Sequence, residues 1–109
     1  MEKLIERGLL YDSYGGLLSE KNKRIYEACV VYDMSLKEIA EENGVSRQAV
    51  SDTLNRTDDK LRKYEHELGL IKKTRVIEKC LDEMRKTLDE EKPDKEKLKK
   101  IADRIEEVI

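Results

Sequence analysis

The chain has no tryptophan and no phenylalanine, a single proline, a single histidine and two cysteines, and aromatic residues make up 5% of its 109 positions. Each shortage excludes something. No run of β-branched residues stands between turn signals, so no sheet is expected. Cys29 and Cys80 lie far apart, and neither belongs to a CxxC motif or a Cys/His cluster. They read as small buried hydrophobes in a reducing cytosol. His66 sits between Glu65 and Glu67 with no second ligand at metal spacing, so a surface role is expected and no metal. A long apolar run is also missing: MEKLIERGLLYD carries charges throughout, which excludes a signal h-region or membrane span and points to the cytoplasm. Gly15-Gly16 has no GxGxxG or GxxxxGK[ST] context, so it marks a turn, not a nucleotide cradle. No carboxylate falls in an expected apolar pocket, and no nucleophile stands beside a base. Neither an enzyme nor a cofactor site is expected.

An excess of positive charge is missing too. The net charge is −2 and the pI about 5.6, whereas a domain held to nucleic acid mainly through phosphates usually has a pI above about 9. Splitting the chain changes little: residues 1–70 hold 11 Lys and Arg against 14 Asp and Glu, and residues 71–109 hold 12 against 11. There is no basic arm.

What is present is 44% charged residues interleaved with aliphatic ones, a composition of helices. The length suits one small core plus an extension, placed at 1–70 and 71–109. A first helix runs from about Lys3 to Tyr14 and stops at Gly15-Gly16, read as supplying positive φ. Ser19 caps a second, whose stripe is Ile25, Ala28, Cys29 and Tyr32. Ser35 and Glu38 have capping-box spacing, so a third helix starts at Leu36 and ends at Gly44. Ser46 caps the next only two residues later. A helix, a Gly-centred turn and a helix this close form a helix-turn-helix around the seam Leu36, Ile39, Ala40, Val45 and Val50. The second of the pair is long, about twenty residues to Gly69, with apolar positions Val50, Leu54, Leu61, Tyr64 and Leu68. Beyond it the stripes at 77–88 and 98–108, separated by Pro93, read as a helical hairpin over 73–109.

These residues carry a resemblance. LYDSYGGLLSEKNKRIYEACVVYDMSLKEIAEENGVSRQAVSDTLNRTDDKLRKYEHELGL, from Leu10 to Leu70, resembles the YlxM family of small bacterial proteins, a module similar in turn to the promoter-reading helix-turn-helix of sigma factors. SLKEIAEENGVSRQAVSD is its most specific part. The resemblance implies an all-α, sigma-factor-like helix-turn-helix fold and a regulator of the signal recognition particle pathway, with components of that particle as partners. Two positions depart from the pattern: Asn43 replaces an aromatic and Ser51 a tyrosine.

With Val50, Leu54, Leu61 and Leu68 turned inward, 100° per residue places Gln48, Asp52, Asn55 and Asp59 outward, flanked by Ser51, Arg56, Arg62 and Lys63. In a groove, Ser46, Arg47, Gln48, Ser51, Asn55 and Arg56 are the candidate nucleic-acid contacts: Arg47 suits guanine, and Gln48 or Asn55 suits adenine. The acids, Asp58 included, read as a solvated face with i,i+4 pairs such as Asp52–Arg56 and Asp58–Arg62. Residues 46–63 hold five basic residues and three acids, enough for two or three phosphates and a log–log salt slope of about −2 to −3. Lys21, Lys23 and Arg24, early in the second helix, are candidate phosphate contacts. The apolar surplus of the long helix and the hairpin calls for a second helical surface, supplied by fold-back of the hairpin or by a homodimer. Two roles compete: an adaptor for a protein or ribonucleoprotein partner, which the charge favours, and a DNA-binding transcriptional regulator, which the motif shape favours.

Overall fold

A computed structural model describes residues 2–109. Among them are six α-helices and no strand: α1 (Glu2–Tyr14), α2 (Glu20–Val30), α3 (Leu36–Asn43), α4 (Arg47–Leu68), α5 (Leu70–Leu88) and α6 (Lys95–Val108). The chain divides into two compact units, one ending at Leu68 and the other spanning Gly69–Ile109.

Local chemistry sets the helix ends of the first unit. Ser19 Oγ accepts from the Asn22 backbone N–H and caps α2. The capping box forms: the Glu38 N–H donates to Ser35 Oγ at 3.1 Å, and the Ser35 N–H donates to the Glu38 carboxylate at 3.1 Å. Two orphan donors are satisfied at once. These bonds hold the Glu38 carboxyl below its ordinary range. At the other end Gly44 takes φ 65, Val45 N–H reaches Ala40 O at 3.0 Å and Gly44 N–H reaches Glu41 O at 3.4 Å. These two hydrogen bonds close the helix in a Schellman arrangement, which needs a residue at ease in the left-handed region. Gly69 takes φ 62 between α4 and α5.

The Gly15-Gly16 turn differs from its expected form. Gly15–Leu17 is a 3-10 turn, and neither glycine has positive φ. Gly15 is required for space: a Cβ there would sit 2.7 Å from the Tyr11 ring. That ring is fixed, since its hydroxyl donates to Glu27 at 2.6 Å and it lies 6.1 Å from the Tyr26 ring.

The core gathers Leu10, Tyr14 and Leu18 from α1 and the turn, Ile25 and Tyr26 from α2, Ile39 and Ala40 from α3, and Val50, Leu54 and Leu61 from α4. Tyr14 donates to Glu65 and packs beside Tyr64. Leu36, Val45 and Tyr32, expected in seams, are 40%, 42% and 66% exposed. All three lie at helix ends or in turns, where periodicity outruns the neighbouring element. Cys29 is half-buried and Cys80 fully buried.

The main correction concerns Asp58. Expected on a solvated face with Arg62, it is 1% exposed. Arg7 grips it through Nε at 3.0 and 3.1 Å and Nη2 at 2.8 Å, and Tyr26 donates its hydroxyl at 2.8 Å. Arg62 turns to Glu6 and, at 3.5 Å, to Asp59. One carboxylate thereby ties α1, α2 and α4 together. Its hydrogen bond pushes the Arg7 guanidinium further into its charged form, while burial first and the bond to Asp58 second raise the Tyr26 hydroxyl.

The second unit pairs α5 with α6 around Cys80, Thr87 and Ile101. Asp94 caps α6 by accepting from the Glu96 and Lys97 N–H groups. Arg104 donates to Glu83 at 2.7 Å, which holds that carboxyl below its ordinary range.

Candidate nucleic-acid interface

The helix-turn-helix pair presents the N-terminal half of α4. Ser46 precedes it as its cap, accepting from the Ala49 N–H at 3.0 Å, which fixes its hydroxyl at the helix start and leaves its proton available to donate to a ligand. Arg47 and Asn55 are exposed, and their side chains make no hydrogen bond or ion pair with a described residue. Gln48 is also exposed, and its amide donates to Asp52 Oδ1 at 2.9 Å. That bond turns the amide along the helix and occupies one acceptor of the mid-face acid. Ser51 is half-buried, at the edge of the outward face.

Arg56 faces elsewhere. It makes one long bond, 3.5 Å to Thr53 Oγ1, and lies where α2 crosses α4. There it lines two adjoining clefts, one of about 360 Å³ shared with Lys21, Asn43 and Asp52, the other of about 220 Å³ shared with Asn22, Thr53, Thr57 and Lys60. The three basic residues early in α2 part company. Lys21 joins Arg56, Lys23 is half-buried and lines neither cleft, and Arg24 lines a third hollow of about 300 Å³ with Glu27, Glu42 and Tyr32. Asn43 borders two of these hollows and donates its amide to Ile39 O at 2.8 Å.

The electrostatics of α4 are more favourable to an anion than the residue count implies. Asp58 is neutralised by Arg7 from outside the segment, and Asp59 and Asp52 are engaged by Arg62 and Gln48. Arg47, Arg56, Lys60 and Lys63 form no ion pair with any described residue. Sequence reasoning passed over Lys60, Asn22 and Thr53. The signal for Thr53 and Lys60 was the spacing of Thr53, Arg56, Thr57 and Lys60 at i, i+3, i+4 and i+7, a polar stripe of its own, whereas Asn22, on α2, had none. Among the described residues no group of His, Cys, Asp and Glu could hold a metal ion, and no helix is long and apolar enough to cross a membrane.

Comparison with known proteins agrees with this architecture. Residues 1–101 match the model of the UPF0122 family, described as "Putative helix-turn-helix protein, YlxM / p13 like", a description that names a fold and no reaction. A UPF0122 protein of Thermoanaerobacter sp. (strain X514) is 42% identical over 106 residues, covering 92% of this chain and 91% of the relative. One of Bacillus mycoides (strain KBAB4) is 35% identical over 108 residues, covering 99% and 98%. One of Bacillus cereus (strain AH187) is 34% identical over the same length. The Schellman-closed bracing helix, the capped long helix and a match over nearly the whole length lead to one assignment: the chain belongs to the UPF0122 family of YlxM/p13-like helix-turn-helix proteins.

Proposed function

We propose that this chain is a cytoplasmic, non-enzymatic regulatory adaptor of the signal recognition particle targeting pathway that meets nucleic acid through the N-terminal half of α4. The pathway rests on the resemblance to YlxM proteins. The contact rests on one observation: Asp58 is withdrawn into the core against Arg7 and Tyr26, leaving the outer surface of α4 with four cations that no carboxylate answers. Arg47, Gln48 and Asn55 are the base-facing residues, Ser46 and Ser51 flank them, and Arg56 contacts backbone. A homodimer built on α4 and the hairpin belongs to the same reading, because one copy offers few phosphate contacts and two would double them.

The competing reading is a sigma-like transcriptional regulator of duplex DNA, favoured by the shape of the α3–α4 pair. Titration of the protein with its own upstream duplex, with random duplex and with purified signal recognition particle, at about 50 and 200 mM salt, separates the two. The adaptor predicts particle binding that exceeds both duplexes. A preference for the upstream duplex that collapses on Arg47→Ala and Gln48→Ala would transfer the assignment to the transcriptional reading.

A further inference from the structure

We infer that the cleft where the first turn of α2 crosses the middle of α4 seats the phosphodiester backbone of a double-helical nucleic acid, a contact separate from the base-facing residues. The inference deepens the reading of α4 given above and rests on it. Three cations converge there, Lys21 from α2 and Arg56 and Lys60 from α4, and none forms an ion pair with a described residue. What sets them apart is that the three are exposed and border the same pair of adjoining clefts, where their charges add and favour an anion.

The lining fits a diester in kind as well as in sign. The lower cleft contains no carboxylate; its wall is Asn22, Thr53, Arg56, Thr57 and Lys60, groups that donate hydrogen bonds to phosphate oxygens. The Thr57 hydroxyl is committed to Thr53 O at 2.8 Å, which leaves Thr53 Oγ and the Asn22 amide as the neutral donors. Asp52, the one acid bordering the upper cleft, is held by Gln48. Arg56 and Lys60 lie one turn apart, about 6 Å along the axis. Successive nucleotides rise about 3.4 Å per strand, so a spacing of about 6 Å spans about two nucleotides, and the two side chains reach phosphates close together on one strand. Arg56 adjoins Asn55 in sequence, so the seat flanks the outward face, where a strand would run if Arg47, Gln48 and Asn55 looked into a groove. Lys23 and Arg24 have no part in it.

The test is a salt titration of the full chain against duplexes of equal length, two DNA sequences and one RNA, beside a variant carrying Lys21→Ala, Arg56→Ala and Lys60→Ala. Each phosphate contact contributes about 0.9 to the slope of log K against log salt, so the variant should be shallower by about 2.7. It should lose affinity equally on both DNA sequences, with an unchanged thermal melt. If the slope stays as in the wild type while Arg47→Ala with Gln48→Ala abolishes binding, the cleft is overturned and the reading of α4 stands. If the wild type binds none of the duplexes at about 50 mM salt, the cleft falls while the reading of α4 is decided by the particle titration above, and a triple variant that instead loses affinity for an acidic protein surface would reassign the cleft to a protein partner. The DNA and RNA arms tell which backbone is held.

Discussion

A carboxylate with 1% of its surface exposed must be met by donors on every side, and Asp58 meets the Arg7 fork and the Tyr26 hydroxyl. Removing one partner of such a pair leaves a buried charge uncompensated, at a cost of about 3–5 kcal/mol. Asp58→Ala should therefore lower the unfolding free energy by that order in a denaturant titration. Arg7→Met with Asp58→Leu should recover much of it, because an apolar pair of similar volume often replaces a buried ion pair at little cost. A double variant as unstable as the single one would show that the network does more than neutralise itself. Both residues were within reach of the sequence: Asp58 stands at i+4 from Leu54 and i−3 from Leu61, and Arg7 at i−3 from Leu10 and i−7 from Tyr14, each on an inward stripe. The composition of the outer face concealed this, since an acid among acids reads as solvated until its angular position is weighed. Gly15 is the converse case. Its place at a turn was legible and its cause was not, because the Tyr11 ring that needs the room is positioned by contacts to α2. Gly15→Ala, with its Cβ 2.7 Å from that ring, should cost about 1–3 kcal/mol as overpacking, read as a fall in melting temperature. A neutral result would mean that the Tyr11–Glu27 bond yields freely.

At the scale of the element, the features set by neighbours in the chain were the legible ones: the Ser35–Glu38 box, the Gly44 closure, the Ser46 cap and the end of α4 near Gly69. Clefts were not legible, because they arise where α2 crosses α4 and depend on which face of each helix meets the other. The box also carries a pH signature. Its hydrogen bonds hold the folded Glu38 carboxyl below the ordinary value of 4.5. A depressed folded value means that the stabilisation is present above the unfolded pKa and is lost as pH falls through the folded one. Glu38→Gln keeps the bonding pattern, since glutamine serves at that position, and does not titrate. The stability of wild type relative to this variant should be constant well above the unfolded pKa and shift against the wild type as pH falls through that value and then through the folded one. Parallel stability curves across that interval would remove the carboxylate from any role in capping.

On the scale of the whole molecule, the two units differ in how much core they own. The unit ending at Leu68 buries ten apolar side chains from four helices and the turn and is laced by the Asp58 network, whereas Gly69–Ile109 buries Cys80, Thr87 and Ile101 between two helices. Leu81 and Leu88 remain 38% and 53% exposed, and the Arg104–Glu83 bond is a partly exposed pair of modest worth. Sub-global opening follows the local density of buried contacts, so amides of α5 and α6 should exchange at a lower free energy than those of α4 between Leu54 and Leu61. Ile101→Ala sharpens the test. A large-to-small change at a core position costs about 2–5 kcal/mol, and the low end applies here because a two-helix seam can close around the lost volume. Protection across α5 and α6 should fall by that amount, while protection between Leu54 and Leu61 should change by no more than about 0.5 kcal/mol, the margin for independent sites. An equal fall in both would make the chain a single cooperative unit, and any adaptor mechanism would then have to move the hairpin and the helix-turn-helix together.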